Sequence, residues 1–251
     1  MGGCGVRRVA GSVLSLAVFL AAWKLLTVIG AYPEYILPAP EVVGARAVRA
    51  IASGLLWQHT AATLSEIVLG LAAGTVAALA IGIGLGKSTL VERALSPYIV
   101  AAQAVPILAL APLLDIWFGG GLLARVLICA LIVFFPIAIA TMVGIRSVDP
   151  LLVELYRSLG ANQAQRTARL EIPAALPIIF GGLRVGVTLA VIGAVVAEWA
   201  GAATGLGVLI NIANQGLFDT PLMFVALATL AVIGLALYGL VLVAERRLVQ
   251  P

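Results

Sequence analysis

Residues 149–173 read DPLLVELYRSLGANQAQRTARLEIP, and this polar segment separates two strongly apolar regions of the chain. Three arginines and several amides are concentrated in it, although only 10% of the 251 residues are charged. A basic, amphipathic segment on one side of an apolar protein is typical of a surface that docks on a partner or on a membrane. The polar segment is therefore the first candidate for the functional site.

Local signals within the polar segment predict two short helices. Asp149 followed by Pro150 is a helix-start signal, because the aspartate caps the helix and proline needs no N–H in the first turn. Gly160 predicts the end of that helix, and residues 162–171 form a second amphipathic stretch. One apolar face follows from four leucines at helical spacing: Leu151, Leu152, Leu155 and Leu159. The alternative is an interfacial hairpin that only connects two spans.

The composition around the polar segment predicts an integral membrane protein. Hydrophobic residues make up 63% of the chain, whereas soluble domains contain about 45–50% apolar residues. Apolar blocks long enough for membrane-spanning helices recur along the sequence. We predict an all-α, polytopic helical bundle of about six spans, at residues 9–30, 61–85, 97–118, 123–144, 174–197 and 222–244.

Two departures from plain spans are expected. A short amphipathic helix is predicted after Pro40, between the first two spans. Pro106 and Pro112 predict a kink or break in the third span, because proline interrupts the hydrogen bonds of a helix.

The distribution of Lys and Arg predicts the orientation. With the N-terminus inside, eleven of the fifteen basic residues fall on the inner side, while Arg46, Arg49 and Arg125 fall on the outer side. Lys24 lies near the outer end of the first span. The positive-inside rule then places both termini and the polar segment in the cytoplasm. The positive net charge follows from this bias, so we expect no nucleic acid partner.

Three polar residues within or near the spans are candidates for a transport pathway. Gln103 could contact a substrate or form a hydrogen bond between helices. Asp115 could contact a substrate or occupy the membrane interface, and Glu198 could face the mouth of a pathway or headgroup water. His59 stands alone and is expected at the interface. The sequence shows no metal-ligand cluster, no nucleophile–base pair and no phosphate-binding loop, so no catalytic residue, metal or cofactor is expected in this chain.

The spacing within the polar segment resembles the motif of permease subunits of bacterial ABC importers: E-A-A, three residues, G, nine residues, I, one residue, L-P. Glu154 takes the acidic position, Gly160 the glycine, and residues 170–173 the closing positions, whereas Leu155 and Tyr156 replace the alanines. Further segments resemble the nitrate, sulfonate and taurine branch of this family: YILPAPEVV, ALAPLLDIWFGGG, RSLGANQAQ, IPAALPIIFGGLRVG and GAVVAEWAGAATGLGVLI. Asp115 departs from the aliphatic residue that the family usually carries.

The resemblance implies one permease domain over residues 1–251, with the polar segment as a cytoplasmic coupling helix. It implies no enzymatic activity in this chain, since ATP and Mg belong to two separate ATP-binding subunits. A second permease copy and a periplasmic or lipid-anchored binding protein would complete the importer in the bacterial inner membrane. The residues implied in coupling are Glu154, Arg157, Leu159, Gly160, Ala161 and Pro173, although Arg157 could instead contact lipid headgroups.

The substrate expectation is a vitamin-like heterocycle. The stretch AAQAVPILALAP is similar to permeases for riboflavin or thiamine-pyrimidine precursors, and it contains no Lys or Arg to attract an anion. Sulfonates, taurine and nitrate are the alternative substrates. An ion-gradient-driven secondary transporter is the alternative function. It predicts inverted repeats or acidic residues deep in broken helices, and neither is evident in the sequence.

Overall fold

The computed structural model describes residues 3–249, apart from the side chains of residues 3–10, 12, 13, 96 and 100. Within these residues the chain forms eleven α-helices and two π-helical turns, with no β-strand, so the all-α class is confirmed. The helices are α1 (Gly3–Gly30), α2 (Pro40–Ala52), α3 (Leu55–Lys87), α4 (Thr89–Ala104), α5 (Ile107–Phe118), α6 (Leu122–Arg146), α7 (Pro150–Ser158), α8 (Gln163–Arg166), α9 (Ile172–Gly201), α10 (Leu206–Asn211) and α11 (Thr220–Val249), and the π-helical turns are Thr167–Glu171 and Ile212–Gly216.

Four described segments are long and apolar enough to cross a membrane: α3, α6, α11 and the continuous segment Gln163–Gly201. A fifth span results if α4 and α5 are taken as one bent span. The apolar stretch described within α1, Leu14–Ile29, is shorter than these. The polytopic helical bundle is thus confirmed, with four or five long spans where the hydropathy pattern predicts about six.

The predicted break in the third span lies between α4 and α5, which meet at 96°. Pro106 has no N–H to continue the helix, and its ring excludes Val105 from the helical region. Val105 accordingly has φ −76° and ψ 123°. Pro112 lies inside α5, which continues to Phe118. Pro106, and not Pro112, therefore separates the two helices.

The core is formed mainly by α3, α6 and α9, which pack through small residues. A Cβ atom added at Gly74 would lie 2.6 Å from the carbonyl oxygen of Ala130, and one at Gly82 would lie 2.6 Å from Cβ of Thr141. Close approach of backbones through glycine is a principal source of helix association in lipid. The glycine-rich face of α3 therefore positions α6 against it along most of its length.

The predicted short helix after Pro40 is confirmed as α2, with Pro40 in its first turn. It packs on α3 and α11 and buries Val43 and Ala50. Arg46 Nε donates to Asp219 Oδ2 at 2.7 Å, just before α11 begins. These contacts place α2 near the start of α11, whereas the polar segment contacts the end of α3. The two features consequently lie at opposite ends of the bundle.

Candidate functional site

The first half of the polar segment is α7, whose two ends are closed by the residues that the sequence indicates. The Asp149 side chain accepts a hydrogen bond of 2.9 Å from the Leu151 amide. At the other end Gly160 has φ +75°. The Gly160 amide donates to the Arg157 carbonyl and the Ala161 amide to the Tyr156 carbonyl, each at 3.0 Å. These two bonds form a Schellman motif, so α7 has a defined end in the isolated chain.

The apolar face of α7 does not pack on the rest of the chain. Leu151 is 71% exposed, Leu155 52% and Leu159 75%. No residue of α7 is buried. An amphipathic helix normally buries its apolar stripe against a neighbouring element. A helix with defined ends and an uncovered leucine face is suited to insert into a groove of a partner.

The second half of the polar segment begins with a capping box. The Gln165 amide donates to the Asn162 side chain and the Asn162 amide to the Gln165 side chain, both at 2.9 Å. Only α8 follows as an α-helix, because the next residues form the π-helical turn Thr167–Glu171 and run directly into α9. The predicted second amphipathic stretch is thus continuous with the following span.

The residues implied in coupling lie together on the surface of the polar segment. Glu154 and Arg157 are exposed on α7, and neither forms an ion pair within residues 3–249. Leu159, Gly160 and Ala161 form the turn between α7 and α8. Pro173 is exposed in the first turn of α9, about one π-helical turn beyond α8. Their charged groups are therefore open to a partner.

Two ion pairs connect Glu171 of the polar segment and Arg146 at the end of α6 to the end of α3 and the start of α4. Lys87 Nζ lies 3.2 Å from Glu171 Oε2, and Arg146 Nη1 lies 2.7 Å from Glu92 Oε2. Neither pair is among the features predicted from the sequence. Their partners are separated by more than 50 positions, and hydropathy carries no information on which charges meet.

A cavity of about 530 Å³ lies at the bend between α4 and α5, next to α6 and α9. Gln103 is one of its lining residues, together with Pro106 and Phe135. The other lining residues are apolar: Ala102, Val105, Ile107, Ile132, Pro136, Ile139 and Leu189. A mainly apolar cavity of this size with one convergent polar group is typical of a small-molecule site. Of the three pathway candidates, Gln103 is the one that faces this cavity.

Asp115 lies elsewhere, in the last turn of α5, and is half-buried. Its carboxylate lies against the end of α9, where a Cβ added at Gly201 would be 2.5 Å from Asp115 Oδ2. The Asp115 carbonyl accepts a hydrogen bond of 2.7 Å from the Gly120 amide. This residue therefore packs between two helix ends and does not line the cavity that contains Gln103.

Glu198 is only 2% exposed, so the structure places it inside the protein and not at a pathway mouth or in headgroup water. Thr63 Oγ1 donates a hydrogen bond of 2.5 Å to Glu198 Oε1, and the Gly207 amide donates to Glu198 Oε2. Thr63 Oγ1 also accepts a bond of 2.7 Å from the Leu206 amide. Since a buried carboxylate requires such donors, Glu198 fixes the turn that precedes α10.

His59 belongs to the same buried cluster and is not an interfacial side chain. It is buried in α3, and its Nδ1 lies against the Gly205 backbone, 2.7 Å from the carbonyl oxygen and 3.0 Å from the amide nitrogen. The signal that the sequence offered for this cluster was Glu198, which lies seven positions before Gly205 of the turn. The helix that supplies His59 and Thr63 could be identified only in three dimensions.

Glu66 is a second buried carboxylate, and it is absent from the candidates predicted from the sequence. Glu66 is fully buried in α3, and its Oε1 lies 3.0 Å from Arg125 Nη1 on α6. Arg125, which the sequence places on the outer side, therefore turns inward. The secondary-transporter alternative predicts deep acidic residues in broken helices. Glu66, however, lies in the unbroken α3 and is paired with a basic group.

Comparison with known proteins agrees with this architecture. Residues 67–250 match the family described as binding-protein-dependent transport system inner membrane component. The riboflavin transport system permease protein RibX of Chloroflexus aurantiacus is 48% identical over 240 residues, covering 96% of this chain and 89% of that protein. The formylaminopyrimidine transport permease protein ThiX of Halalkalibacterium halodurans is 35% identical over 222 residues, covering 88% of each.

A solved structure of an amino acid ABC transporter has the same fold. It superposes with a TM-score of 0.62 at 24% identity, over 80% of this chain and 97% of that chain. The matched family region includes the core helices, the polar segment and the cavity. The chain therefore belongs to the family of inner membrane components of binding-protein-dependent transport systems, which are the permease subunits of ABC importers.

Proposed function

We propose that two copies of this chain form the membrane pathway of an importer for a small, uncharged heterocycle. Two separate ATP-binding subunits drive it, and a periplasmic or lipid-anchored binding protein delivers the solute. ATP and Mg reside on the ATP-binding subunits, and residues 1–251 act as one permease domain. The proposal rests on one observation about α7: this helix has defined ends, and its leucine face is uncovered.

Coupling takes place through the polar segment, which inserts α7 into a groove of the ATP-binding subunit. Leu159 supplies apolar contact, and Glu154 and Arg157 pair with charges on the ATPase. Gly160 provides the left-handed turn that presents Ala161 and the start of α8. Pro173 lies at the start of α9, the span through which displacement of the polar segment reaches the membrane. Burial of the exposed leucines would supply much of the affinity for the ATPase.

The polar-segment end of the bundle faces the cytoplasm in this proposal, and both termini lie on that side. The arginines of the polar segment support this orientation, because basic residues are concentrated in cytoplasmic loops. The opposite end, with α2 and the turn between α10 and α11, then faces the binding protein. Exposed aromatic residues there, Tyr35 and Phe218, border a surface depression with the Arg46–Asp219 ion pair.

The substrate class follows from the cavity next to Gln103. No charged side chain is among its lining residues, so a strongly anionic solute has no counter-charge there. The Gln103 amide can donate to and accept from a heterocycle, and the apolar residues can pack on its ring. Riboflavin and thiamine-pyrimidine precursors have this chemistry, and RibX and ThiX are named for such solutes. Sulfonates, taurine and nitrate fit less well because they are polar or anionic.

The test is purification of the tagged permease from its native membrane, followed by identification of the proteins that co-purify. We expect a stoichiometric ATP-binding subunit that is lost when Glu154 and Gly160 are both changed. The binding protein is then titrated with riboflavin, a formylaminopyrimidine and taurine, and we expect one of the two heterocycles to bind. A chain that purifies alone as a stable oligomer would overturn the ABC assembly and favour an ion-driven transporter.

A further inference from the structure

One residue of the polar segment, Glu171, and one residue just before it, Arg146, bind the same turn. That turn, which we call the elbow, comprises residues 87–92, where α3 ends and α4 begins around Ser88. Arg146 ends α6 just before the polar segment, and Glu171 closes the π-helical turn just before α9. Arg146 binds Glu92 at the end of the elbow, and Glu171 binds Lys87 at its start.

The Lys87–Glu171 pair is partly withdrawn from water, chiefly at Glu171. Glu171 is 8% exposed, and its Oε2 lies 3.2 Å from Lys87 Nζ. Lys87 Nζ also donates to Thr167 Oγ1 in the first position of the same π-helical turn. A partly buried pair is less screened than a surface pair and holds its geometry more firmly. The family motif does not specify a glutamate at position 171. This position lies between the I and the L-P of the motif, where the residue is variable.

The Arg146 guanidinium binds two elements at once. Its Nη1 lies 2.7 Å from Glu92 Oε2 in the first turn of α4, and its Nη2 donates to the Leu85 carbonyl at 3.0 Å. A cation at the end of α3 satisfies carbonyl groups that have no partner within the helix. Arg146 thus holds the end of α3 and the start of α4 together, three positions before Asp149.

The elbow leads directly to the cavity. From the elbow, α4 runs to Ala104, and the bend at Pro106 then carries the chain into α5, next to Gln103. No described residue of α4 is buried, whereas α3, α6 and α9 interlock through glycine and alanine. Among the described helices, α4 packs chiefly on α3. A helix with few contacts can tilt as a unit, whereas a close-packed core resists deformation.

We propose that the Lys87–Glu171 and Arg146–Glu92 pairs transmit displacement of the polar segment to the elbow and through α4 to the cavity. This inference rests on the proposed function, because the ATP-binding subunits supply the displacement. The four residues are positioning residues: they touch neither nucleotide nor solute. Because the elbow is held at two positions, Lys87 and Glu92, it follows displacement of these partners as a unit.

The test follows the accessibility of the cavity without requiring a known solute. Ala102, which lines the cavity, is replaced by cysteine in a chain whose two native cysteines are alanine, and the whole complex is reconstituted with its ATP-binding subunit. The rate of labelling by N-ethylmaleimide is compared without nucleotide and after trapping with ATP and vanadate. We expect this rate to change by about fivefold or more on trapping, in line with ordinary coupling between sites.

Charge reversal then tests the Lys87–Glu171 pair. Lys87→Glu and Glu171→Lys should each abolish the change in labelling rate while ATP hydrolysis continues, and the double variant, with the charges exchanged, should restore it. Glu92→Gln should weaken the change. Arg93→Glu reverses an exposed charge beside Glu92 and should behave like the parent.

The outcomes separate this inference from the function on which it rests. Retention of the labelling change in both single variants would overturn the inference alone, and so would failure of the double variant in a complex that still contains its ATPase. Absence of any ATPase from the unmodified complex would overturn the proposed function and, with it, this inference. Loss of the nucleotide-dependent change in labelling rate in both single variants, with recovery in the double variant, would support this inference.

Discussion

Thr63 on α3 and Glu198 on α9 are joined by a buried hydrogen bond of 2.5 Å, although 135 positions separate them in the sequence. The same Thr63 hydroxyl accepts from the Leu206 amide, so one side chain connects two helices and the turn before α10. Because both partners are buried, loss of either one leaves a polar atom of the other with one hydrogen bond fewer and no water to replace it. This contact therefore joins α3, α9 and the turn before α10.

Replacement of Thr63 by valine is therefore expected to destabilise the protein by about 1–3 kcal/mol, since it removes the hydroxyl partner of Glu198 Oε1 and of the Leu206 amide. Glu198→Gln should have an effect of similar size, and the double variant should lose less than the sum of the two. Thermal unfolding in detergent measures all three. Thr188→Val, at an exposed position of α9, is the control, and additive effects of the first two changes would contradict the coupling.

Gly205→Ala is expected to be more harmful than an ordinary glycine substitution. Gly205 has φ +145°, and an added Cβ would fall on the Glu198 carboxyl group. Both the backbone strain and the collision oppose folding of the turn. Gly84→Ala in α3, where no atom lies within 4 Å of the added carbon, should be neutral or slightly stabilising. Equal melting temperatures for the two variants would contradict this account.

Gly160→Val should abolish uptake of the solute while the protein remains inserted in the membrane. Valine at φ +75° costs on the order of 1–2 kcal/mol and disfavours the turn that follows α7. Gly160→Asn is the matched control, because asparagine tolerates the left-handed region. Riboflavin uptake and membrane content are measured together. Normal riboflavin uptake by the valine variant would remove the coupling role of this turn.

Leu159→Ser is expected to weaken retention of the ATP-binding subunit without lowering the melting temperature of the permease alone. The side chain is 75% exposed, so its removal leaves no cavity in the isolated chain. Quantitative co-purification and thermal unfolding separate the two effects. Leu248→Ser, at an exposed position near the end of α11, should change neither quantity. A lowered melting temperature with full ATPase retention would place Leu159 in the fold instead.

Gln103→Leu should reduce transport of a heterocycle chiefly by raising KM, because it removes the polar group from an otherwise apolar cavity lining. The loss of one hydrogen bond to an uncharged solute corresponds to about 0.5–1.5 kcal/mol, or roughly threefold to tenfold. Initial rates of riboflavin uptake over a range of concentrations measure this effect. Gln103→Asn keeps the amide and should recover part of it. Unchanged KM in the leucine variant would exclude Gln103 from the solute site.

Local signals in the sequence determine much of this protein. The bounds of α7 follow from Asp149, Pro150 and Gly160, because helix caps depend on residues within a few positions of one another. The break at Pro106 follows in the same way from the missing N–H and from the restriction on Val105. The membrane class follows from composition, since long apolar blocks are stable only in lipid. The coupling motif and the candidate Gln103 are likewise recognisable from residues that are neighbours in the chain.

Only the tertiary structure decided which polar groups meet. Glu198 changed from a pathway candidate to a buried hydrogen-bond acceptor, and Glu66, which the sequence did not single out, is paired with Arg125. The sequence places Lys87, Arg146 and Glu171 near the membrane surface but does not pair them. Hydropathy reports the depth of a residue and not its direction around a helix. Direction depends on how α3, α6 and α9 pack, which is set by side-chain volumes at positions far apart in the chain.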